Sequence, residues 1–167
     1  MLTALFMSWA ALFGGQLSPA PVTAQIPKPG ALYGTVVIPR IQERVPVRQG
    51  VDHDSVLSRG VGHSVASYGP GMGGTILFFG HRVTPVLGES HGPFRYIDRL
   101  MKGDRITVRM PYGRYTYRVR QHLVLTPAAV KARFRPSLKR ETLVLTACHP
   151  PGSRLLRYVV VATRASY

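Results

Sequence analysis

The sequence predicts an all-β fold, either a closed β-barrel or a tight sandwich, with only short helices. About eight short segments are rich in β-branched and aromatic residues or alternate between apolar and polar residues, as strands do. The 167 residues include 17 glycines and 14 prolines, so turns are frequent and long helices are disfavoured. Hydrophobic residues make up 45% of the chain, which is enough for the core of one domain.

The first three predicted strands differ in character. Tyr33–Ile38 is β-branched and aromatic, as a strand in a packed sheet is. Arg44–Val47 is short and contains a proline, which indicates a sheet edge or the start of a strand. Thr75–Phe79 is a continuous apolar run, which is typical of a strand buried on both faces.

The remaining predicted strands lie in the second half of the chain. Asp104–Met110 and Arg114–Arg120 both alternate and are separated by a Pro-Tyr-Gly turn, so they predict a hairpin, which Gln121–Leu125 extends. Thr142–Thr146 and Arg157–Thr163 are apolar and β-branched and predict the last two strands. Three segments are predicted as short helices: Val51–Arg59, Phe94–Leu100 and Pro127–Val130.

The first 31 residues are predicted to precede the folded domain. Residues 1–17 carry no charge and contain the apolar run Ala4–Phe13, which is shorter than the ~20 apolar residues that span a bilayer. We expect a membrane-anchor or signal-like segment there, with an amphipathic or core helix as the alternative. Residues 18–31 are rich in proline and small residues and predict an extended linker, so the domain would cover residues 32–167. This organisation predicts a protein on the extracytoplasmic face of the cell membrane.

The chain is strongly basic, with 22 lysines and arginines against seven acidic residues and a formal net charge of +15. Such a charge attracts nucleic acid, anionic lipid or an acidic polymer. The basic residues are spread from Lys28 to Arg164 without a compact run, so we expect no nucleic-acid partner. A basic domain that binds DNA or an anionic polymer is the alternative function. No acidic cluster indicates a metal site, and we expect neither a metal nor another cofactor.

Three side chains that could carry chemistry follow or open predicted strands. Cys148 is the only cysteine, which excludes an intramolecular disulfide and a Cys-rich zinc site. It follows an apolar strand, His81 follows the buried strand TILFF and one glycine, and Arg157 opens the final strand. If the loop between Cys148 and Arg157 reverses, a thiol, an imidazole and a guanidinium meet at one end of the fold.

Acyl transfer requires these three groups. A thiolate attacks a carbonyl, an imidazolium gives a proton to the departing amine, and a fixed guanidinium stabilises the oxyanion. Arg154 competes with Arg157 because it is also close to the cysteine in sequence. His149 adjoins Cys148, but consecutive residues of an extended backbone point to opposite sides. The histidines other than His81 are His53, His63, His91, His122 and His149.

Four segments resemble the signature regions of the sortase family. Thr142–Cys148 (TLVLTAC) resembles the TLxTC signature, and Phe79–Arg82 (FGHR) resembles the segment of the catalytic histidine. The region from Gly92 to Val108 resembles the PF-x-x-I/L-D-x-L…GD-x-I-x-V pattern, and Arg157–Val161 resembles the arginine-bearing last strand. The resemblance covers nearly all of the folded part. It is strongest to the class E sortases of actinobacteria, many of which have threonine where this chain has Ala147.

This resemblance implies a single closed eight-stranded β-barrel with a few short helices. It implies a transpeptidase that cleaves an LPxTG- or LAxTG-like sorting signal and joins it to an amine of a cell-wall precursor or a pilin. Cys148 would be the nucleophile that forms a thioacyl intermediate, His81 the proton donor and acceptor, and Arg157 the oxyanion stabiliser. Thr146 and Ala147 would contact the substrate. Another cysteine hydrolase that uses a different histidine, and a noncatalytic sortase-like protein, are the alternatives.

Overall fold

The computed structural model describes residues 27–83, 92–138 and 140–165. Along the chain, the strands and the α-helix are β1 (Leu32–Ile38), β2 (Glu43–Gln49), β3 (Val61–His63), β4 (Thr75–Phe79), β5 (Arg105–Met110), β6 (Gly113–Leu125), α1 (Pro127–Arg133), β7 (Thr142–His149) and β8 (Leu156–Arg164). The strands close into one barrel in the order β1-β2-β3-β4-β7-β8-β6-β5, and β5 pairs with β1. The predicted eight-stranded all-β barrel is therefore confirmed, and the sandwich is excluded.

Two strand pairs are parallel, and one of them brings the two halves of the chain together. β2 runs parallel to β3, and β4 runs parallel to β7. In the second pair Phe79 lies opposite Thr146, so the ends of both apolar strands reach the same edge of the barrel. β7 then pairs with β8 in antiparallel register, which places Cys148 opposite Arg157.

The continuous apolar runs of β4, β7 and β8 are buried on two sides. One face of these strands fills the barrel interior, with Ile76, Leu145 and Val160 among the fully buried side chains. The other face packs under α1, where Val130 and Phe134 meet a second apolar cluster: Leu77, Val144, Val159 and Val161. Burial on both faces explains why these strands are apolar throughout, whereas β5, which has one exposed face, alternates.

The predicted helices are mostly single turns. Val51–Arg59 forms turns followed by a 3₁₀ turn at Leu57–Arg59, and the Asp52 carboxylate caps the first turn by accepting from the backbone N–H groups of residues 54 and 55. Phe94–Leu100 contains a 3₁₀ turn at Ile97–Arg99. The third helix is α1, which begins at Pro127 as predicted and continues past Val130 to Arg133; Thr126 caps its start. The three-residue strand β3 was not predicted.

The N-terminal predictions lie almost entirely outside the described residues. The predicted anchor (1–17) and most of the predicted linker (18–31) fall in residues 1–26. Within the ranges 27–83, 92–138 and 140–165, no helix is both long and apolar enough to cross a bilayer. β1 begins at Leu32, the first residue of the predicted domain.

Candidate active site

A cavity of about 580 Å³ lies at the edge of the barrel where β4 and β7 end. Cys148, His81 and Arg157 all line it, so the structure brings the three sequence-predicted groups together. The cavity is also lined by residues of the segment before β3 and of the β7–β8 loop: His53, Leu57, Gly152 and Arg154.

Strand register places the thiol and the guanidinium side by side. Cys148 on β7 and Arg157 on β8 are direct partners in an antiparallel pair, so their side chains leave the same face about 5 Å apart at Cβ. Neighbouring Ala147 belongs to the interior core, so the Cys148 side chain points to the outside of the barrel. The thiol is free and partly exposed, as a group that must meet a substrate has to be.

Two glycines allow the backbone around His81 to pack closely. Gly80 continues the parallel pairing by donating its N–H to the Thr146 carbonyl at 3.1 Å. A Cβ on Gly80 would lie 2.5 Å from the Phe94 ring, and a Cβ on Gly92 would overlap the His81 carbonyl. Phe94 donates its N–H to that same carbonyl at 2.9 Å, which fixes the backbone of the histidine.

Arg82 anchors the segment that carries His81. Only 4% of its side chain is exposed, and its guanidinium forms a 2.7 Å ion pair with the Asp98 carboxylate. Its Nε also donates to the Arg95 carbonyl at 3.2 Å. A buried cation needs such partners, and here they tie the residue next to His81 to the 3₁₀ turn at 97–99. The pair holds the imidazole segment against the barrel.

The imidazole of His81 has an environment that favours its neutral form. Its Nε2 is buried and has no hydrogen-bond partner among the described residues. The His53 ring contacts it edge to face, with 5.0 Å between ring centroids. Burial lowers the pKa of His81 below its ordinary value, and the charges of His53 and Arg154 act in the same direction.

Removing His53 is therefore expected to raise the pKa of His81. His53→Ala would expose the ring and remove the electrostatic effect of His53, which now lowers the pKa of His81. Both changes stabilise the protonated form of His81. The check is an NMR titration of the His81 ring in both proteins.

Two further variants separate these causes. His53→Phe keeps a ring against His81 but no charge, so it should raise the pKa by less than His53→Ala does. His122→Ala should leave the titration unchanged, because His122 hydrogen-bonds Tyr158 and does not line the cavity. An unchanged or lower pKa of His81 in His53→Ala would contradict this account.

The two candidate arginines hold different positions. Arg157 is partly buried, and its Nη1 donates to the carbonyls of Arg154 at 2.9 Å and Leu156 at 3.0 Å. These bonds fix one end of the guanidinium and leave its other donors for the cavity. Arg154 also lines the cavity, but it is exposed and lies in the loop before β8. The position of Arg157 is the better defined of the two.

Thr146 and Ala147 present different groups to the cavity. Thr146 is buried on the Cys148 side of β7, and its Oγ1 has no hydrogen-bond partner among the described residues. The Ala147 side chain is 2% exposed and packs in the barrel interior. Ala147 therefore presents its backbone, and not its side chain, to the cavity.

His63 and His149 do not line the cavity. His63 is buried, stacks on Tyr33 and hydrogen-bonds the Tyr68 carbonyl, which is a structural role. His149 leaves β7 on the opposite side from Cys148 and accepts from Arg82 at 3.5 Å. His91 lies outside the described residues.

Sequence reasoning missed two features of this site. His53 was one of six histidines with nothing to distinguish it, because its contact with His81 depends on the path of the chain before β3. The pairing of Arg82 with Asp98 was not predicted either, because it joins residues sixteen positions apart. An arginine directly after a candidate catalytic histidine was the one available signal.

Comparison with known proteins identifies the family of this arrangement. A family model described as the sortase domain matches residues 36–165. The chain is 31% identical over 143 residues to sortase D of Bacillus subtilis (strain 168), covering 84% of this chain and 67% of the relative. It is 29% identical over 147 residues to sortase SrtE1 of Streptomyces coelicolor, covering 80% of this chain and 40% of that longer relative.

Solved structures show the same fold. A sortase D5 transpeptidase of Clostridium perfringens superposes with a TM-score of 0.71 at 24% identity, covering 83% of this chain and 82% of the other. Sortase C1 from Streptococcus suis superposes with a TM-score of 0.73 at 24% identity, covering 83% and 75%. At this identity the likeness concerns the fold. The named relatives belong to several sortase classes, so the assignment to class E stays a prediction.

Proposed function

Because the chain belongs to the sortase family, we propose that it is a cysteine transpeptidase that cleaves a C-terminal sorting signal of the LPxTG or LAxTG type. The bond cut would be the one between Thr and Gly. The product would be a protein joined to an amine of a cell-wall precursor or a pilin. The observation that carries this proposal is the opposition of Cys148 and Arg157 across β7 and β8 in the cavity that His81 also lines.

In the first half of the reaction, the thiolate of Cys148 attacks the carbonyl carbon of the substrate threonine. The carbonyl π electrons move to oxygen, and the guanidinium of Arg157 stabilises the resulting oxyanion. When the tetrahedral intermediate collapses, the C–N bond breaks, and the imidazolium of His81 protonates the departing glycine amine. A thioester joins the substrate threonine to Cys148, and His81 is left neutral.

In the second half, an acceptor amine attacks the thioester carbonyl. Neutral His81 takes a proton from the attacking amine, Arg157 again stabilises the oxyanion, and the C–S bond breaks. The new amide leaves, and the thiolate and imidazolium are restored. The lowered pKa of His81 suits this step, because a neutral imidazole is the form that accepts a proton.

The orphaned polar atoms of the cavity support peptide binding. The Oγ1 of Thr146 and the Nε2 of His81 are both buried without a partner among the described residues. Buried polar groups are nearly always hydrogen-bonded, so an unpartnered pair in one cavity is a reason to expect a polar ligand there. We assign substrate contact to the Thr146 hydroxyl and to the backbone of Ala147.

The proposed function also implies a cellular location for the enzyme and its partners. The sorting signal and the acceptor amine both belong outside the cytoplasm. We therefore assign the enzyme to the extracytoplasmic face of the cell membrane, held by the apolar N-terminal segment. Antibody labelling of intact cells and of cells made permeable would test this assignment.

A direct test is incubation with a panel of LPxTG- and LAxTG-like peptides. Glycine-based or diaminopimelate-type amines would be added, and the product masses recorded. A product in which the amine replaces the residues after Thr supports transpeptidation. Cleavage to the free acid alone, at every amine concentration, would indicate a hydrolase instead.

Arg157→Lys is expected to lower kcat by about 10²-fold, with a smaller change in KM. The oxyanion exists only after attack, so its stabiliser acts on the transition state more than on peptide binding. Lysine keeps a charge but loses the planar fork of donors, including those that now hold the carbonyls of Arg154 and Leu156. Steady-state kinetics with one peptide and one amine provide the measurement.

Arg154→Lys is the matched comparison, since Arg154 lines the same cavity but is exposed. Its kcat should stay within a few-fold of the parent. If kcat falls strongly in Arg154→Lys and stays nearly normal in Arg157→Lys, the oxyanion role belongs to Arg154 in the loop. That result would contradict the assignment of Arg157.

A further inference from the structure

A second imidazole, that of His53, lies in the cavity beside His81. His53 belongs to the segment before β3 and lines the same cavity as Cys148. Its ring meets the His81 ring edge to face, with 5.0 Å between centroids and 64° between ring planes. The mechanism described above uses His53 only through its effect on the pKa of His81. A group that can carry a proton is therefore left without a chemical role next to the reacting atoms.

A carboxylate orients the His53 ring. The Nδ1 of His53 lies 2.8 Å from the Oδ1 of Asp54. An ionised carboxylate can only accept, so Nδ1 carries the hydrogen and, in the neutral ring, Nε2 carries the lone pair. Among the residues that the structure describes, none hydrogen-bonds this Nε2. The ring therefore keeps one nitrogen free to accept a proton.

The two imidazoles differ in their contact with water. The His53 side chain is 50% exposed, whereas the Nε2 of His81 is buried. Water can hydrate a charge on His53 and can carry a proton away from it. Burial instead lowers the pKa of His81. His53 is thus the ring suited to exchange protons with solvent, and His81 is the ring suited to act inside the cavity.

The proton balance of the second half-reaction requires two acceptors. The pKa of an α-amine is about 8 and that of a lysine amine about 10.4, so the acceptor arrives mainly as an ammonium ion. Attack forms the C–N bond, and the C–S electron pair returns to sulfur as the thiolate. The amide nitrogen of the product keeps one hydrogen, so two protons leave the ammonium. His81 takes one of them, and the other needs a second base.

We propose that His53 is the general base that takes the first proton from the acceptor ammonium. Its Nε2 removes the proton, and the electrons of the broken N–H bond become the lone pair that attacks the thioester. His81 takes the second proton during attack, and His53 then releases its own proton to water. Asp54 is a positioning residue that orients the ring. This role rests on the proposed function, since it belongs to the transfer step of that reaction.

The other ionisable groups around the cavity leave this task to His53. Those on the elements that face it are His81 and Arg82 after β4, Cys148 on β7, Arg154 in the β7–β8 loop and Arg157 on β8. Those on its own segment are Asp52, Asp54 and Arg59. Arginines stay protonated, and the thiol is acylated at this step. Among the described residues that line the cavity, His53 and His81 are therefore the two bases available.

The charge of the cavity favours early removal of the proton. Arg154 and Arg157 line the cavity, and no described carboxylate does. A nearby cation disfavours the protonated form of an amine. An ammonium that enters this space is therefore readily deprotonated by a neutral imidazole that it contacts.

The test measures the transfer step alone in the full chain. His53→Phe keeps a ring against His81 but removes the base, and His122→Phe makes the same change outside the cavity, where His122 hydrogen-bonds Tyr158. The thioester is formed with a sorting-signal peptide and mixed with an acceptor, and its conversion to amide is followed by mass over a range of pH. The acceptors are triglycine, a lysine derivative with a blocked α-amine, and hydroxylamine, which is already neutral at neutral pH.

We expect His53→Phe to slow transfer to triglycine by about 10²-fold at neutral pH, the lower end for loss of a positioned base. Transfer to hydroxylamine should stay within about threefold of the parent, because no ammonium proton has to be removed. The loss should disappear as the pH passes the pKa of the acceptor. Recovery should therefore come about two pH units higher with the lysine amine than with triglycine.

Two further variants show the pattern expected of a base and of its positioning residue. Asp54→Ala should show the same dependence on acceptor and pH with a loss below about tenfold, because an exposed ion pair contributes little. His122→Phe should follow the parent with all three acceptors. Thioester formation should change by less than about fivefold in every variant, since no ammonium takes part in that step.

Three results would overturn the proposal. Equal losses with all three acceptors would show that His53 acts only through the pKa of His81. A loss confined to thioester formation would place His53 in the first half-reaction. Unchanged transfer in His53→Phe, or the same losses in His122→Phe, would remove the role altogether.

Failure of the proposed function gives a different result. A parent chain that forms no thioester with any peptide of the panel contradicts the transpeptidase and the role of His53 together. A parent chain that forms the thioester and passes it to amines, with His53→Phe equally active, keeps the transpeptidase and contradicts only the role of His53.

Discussion

Replacing Cys148 with alanine is expected to abolish peptide cleavage and the covalent intermediate together. No other thiol exists in the chain, so no neighbouring group can take over the attack. The side chain is partly exposed at the end of β7, and its loss opens no cavity in either apolar cluster. Turnover should fall to background, as followed by peptide cleavage and by intact mass after mixing with substrate.

The unfolding temperature provides the control for this variant. It should change by no more than a few degrees, which separates loss of chemistry from loss of fold. Transpeptidation that persists in Cys148→Ala would contradict the proposal that Cys148 is the nucleophile. A parent enzyme that is inactive on the whole peptide panel would instead favour the noncatalytic alternative.

His81→Ala is expected to lower kcat/KM by about 10²–10⁴-fold, the usual range for a positioned acid and base. In the proposed mechanism the imidazole acts in both half-reactions, so both acyl-enzyme formation and its release to an amine should slow. Burst kinetics with a reporter peptide would resolve the two steps. Removing the ring leaves Cys148 and Arg157 opposite each other, so the variant should retain the peptide-binding cavity.

His122→Ala and His149→Ala are the matched histidine controls. His122 hydrogen-bonds Tyr158, and His149 contacts Arg82 on the other side of β7 from the thiol. Each of these two changes should lower kcat/KM by less than about tenfold. If either proves more damaging than His81→Ala, the proton-transfer role belongs elsewhere and the alternative hydrolase with a different histidine gains support.

The strands that carry the site were predictable because their two faces both meet apolar surroundings. β4 and β7 appear in the sequence as unbroken apolar runs, and the residues just beyond such runs are where polar chemistry can begin. The family-like segments then selected His81 among six histidines and Arg157 over Arg154. The side chains come together because of the order and register of the strands. Neither strand order nor register can be read from a local pattern in a single sequence.

The errors have physical causes as well. The segment Val51–Arg59 starts like a helix, because the Asp52 carboxylate caps the backbone N–H groups of residues 54 and 55. It does not continue as an α-helix, because the N–H groups of Leu57 and Ser58 bond carbonyls five residues back and the segment ends in a 3₁₀ turn. β3 was missed because three residues with a central glycine have no periodicity, and its pairing with β2 and β4 is entirely tertiary. The His53 contact was hidden for the same reason, since it is set by how this segment enters β3.

The parallel pairing of β4 with β7 also has a consequence for when the groups of the cavity come together during folding. Parallel strands need a long crossover, and contacts between distant parts of a chain form late and slowly in folding. His81 follows β4, Cys148 lies on β7, and Arg157 lies on β8, which is the last strand of the barrel along the chain. The three groups that line the cavity are therefore together only when the barrel is closed. In the proposed mechanism, acylation of Cys148 by a sorting signal then requires the finished fold.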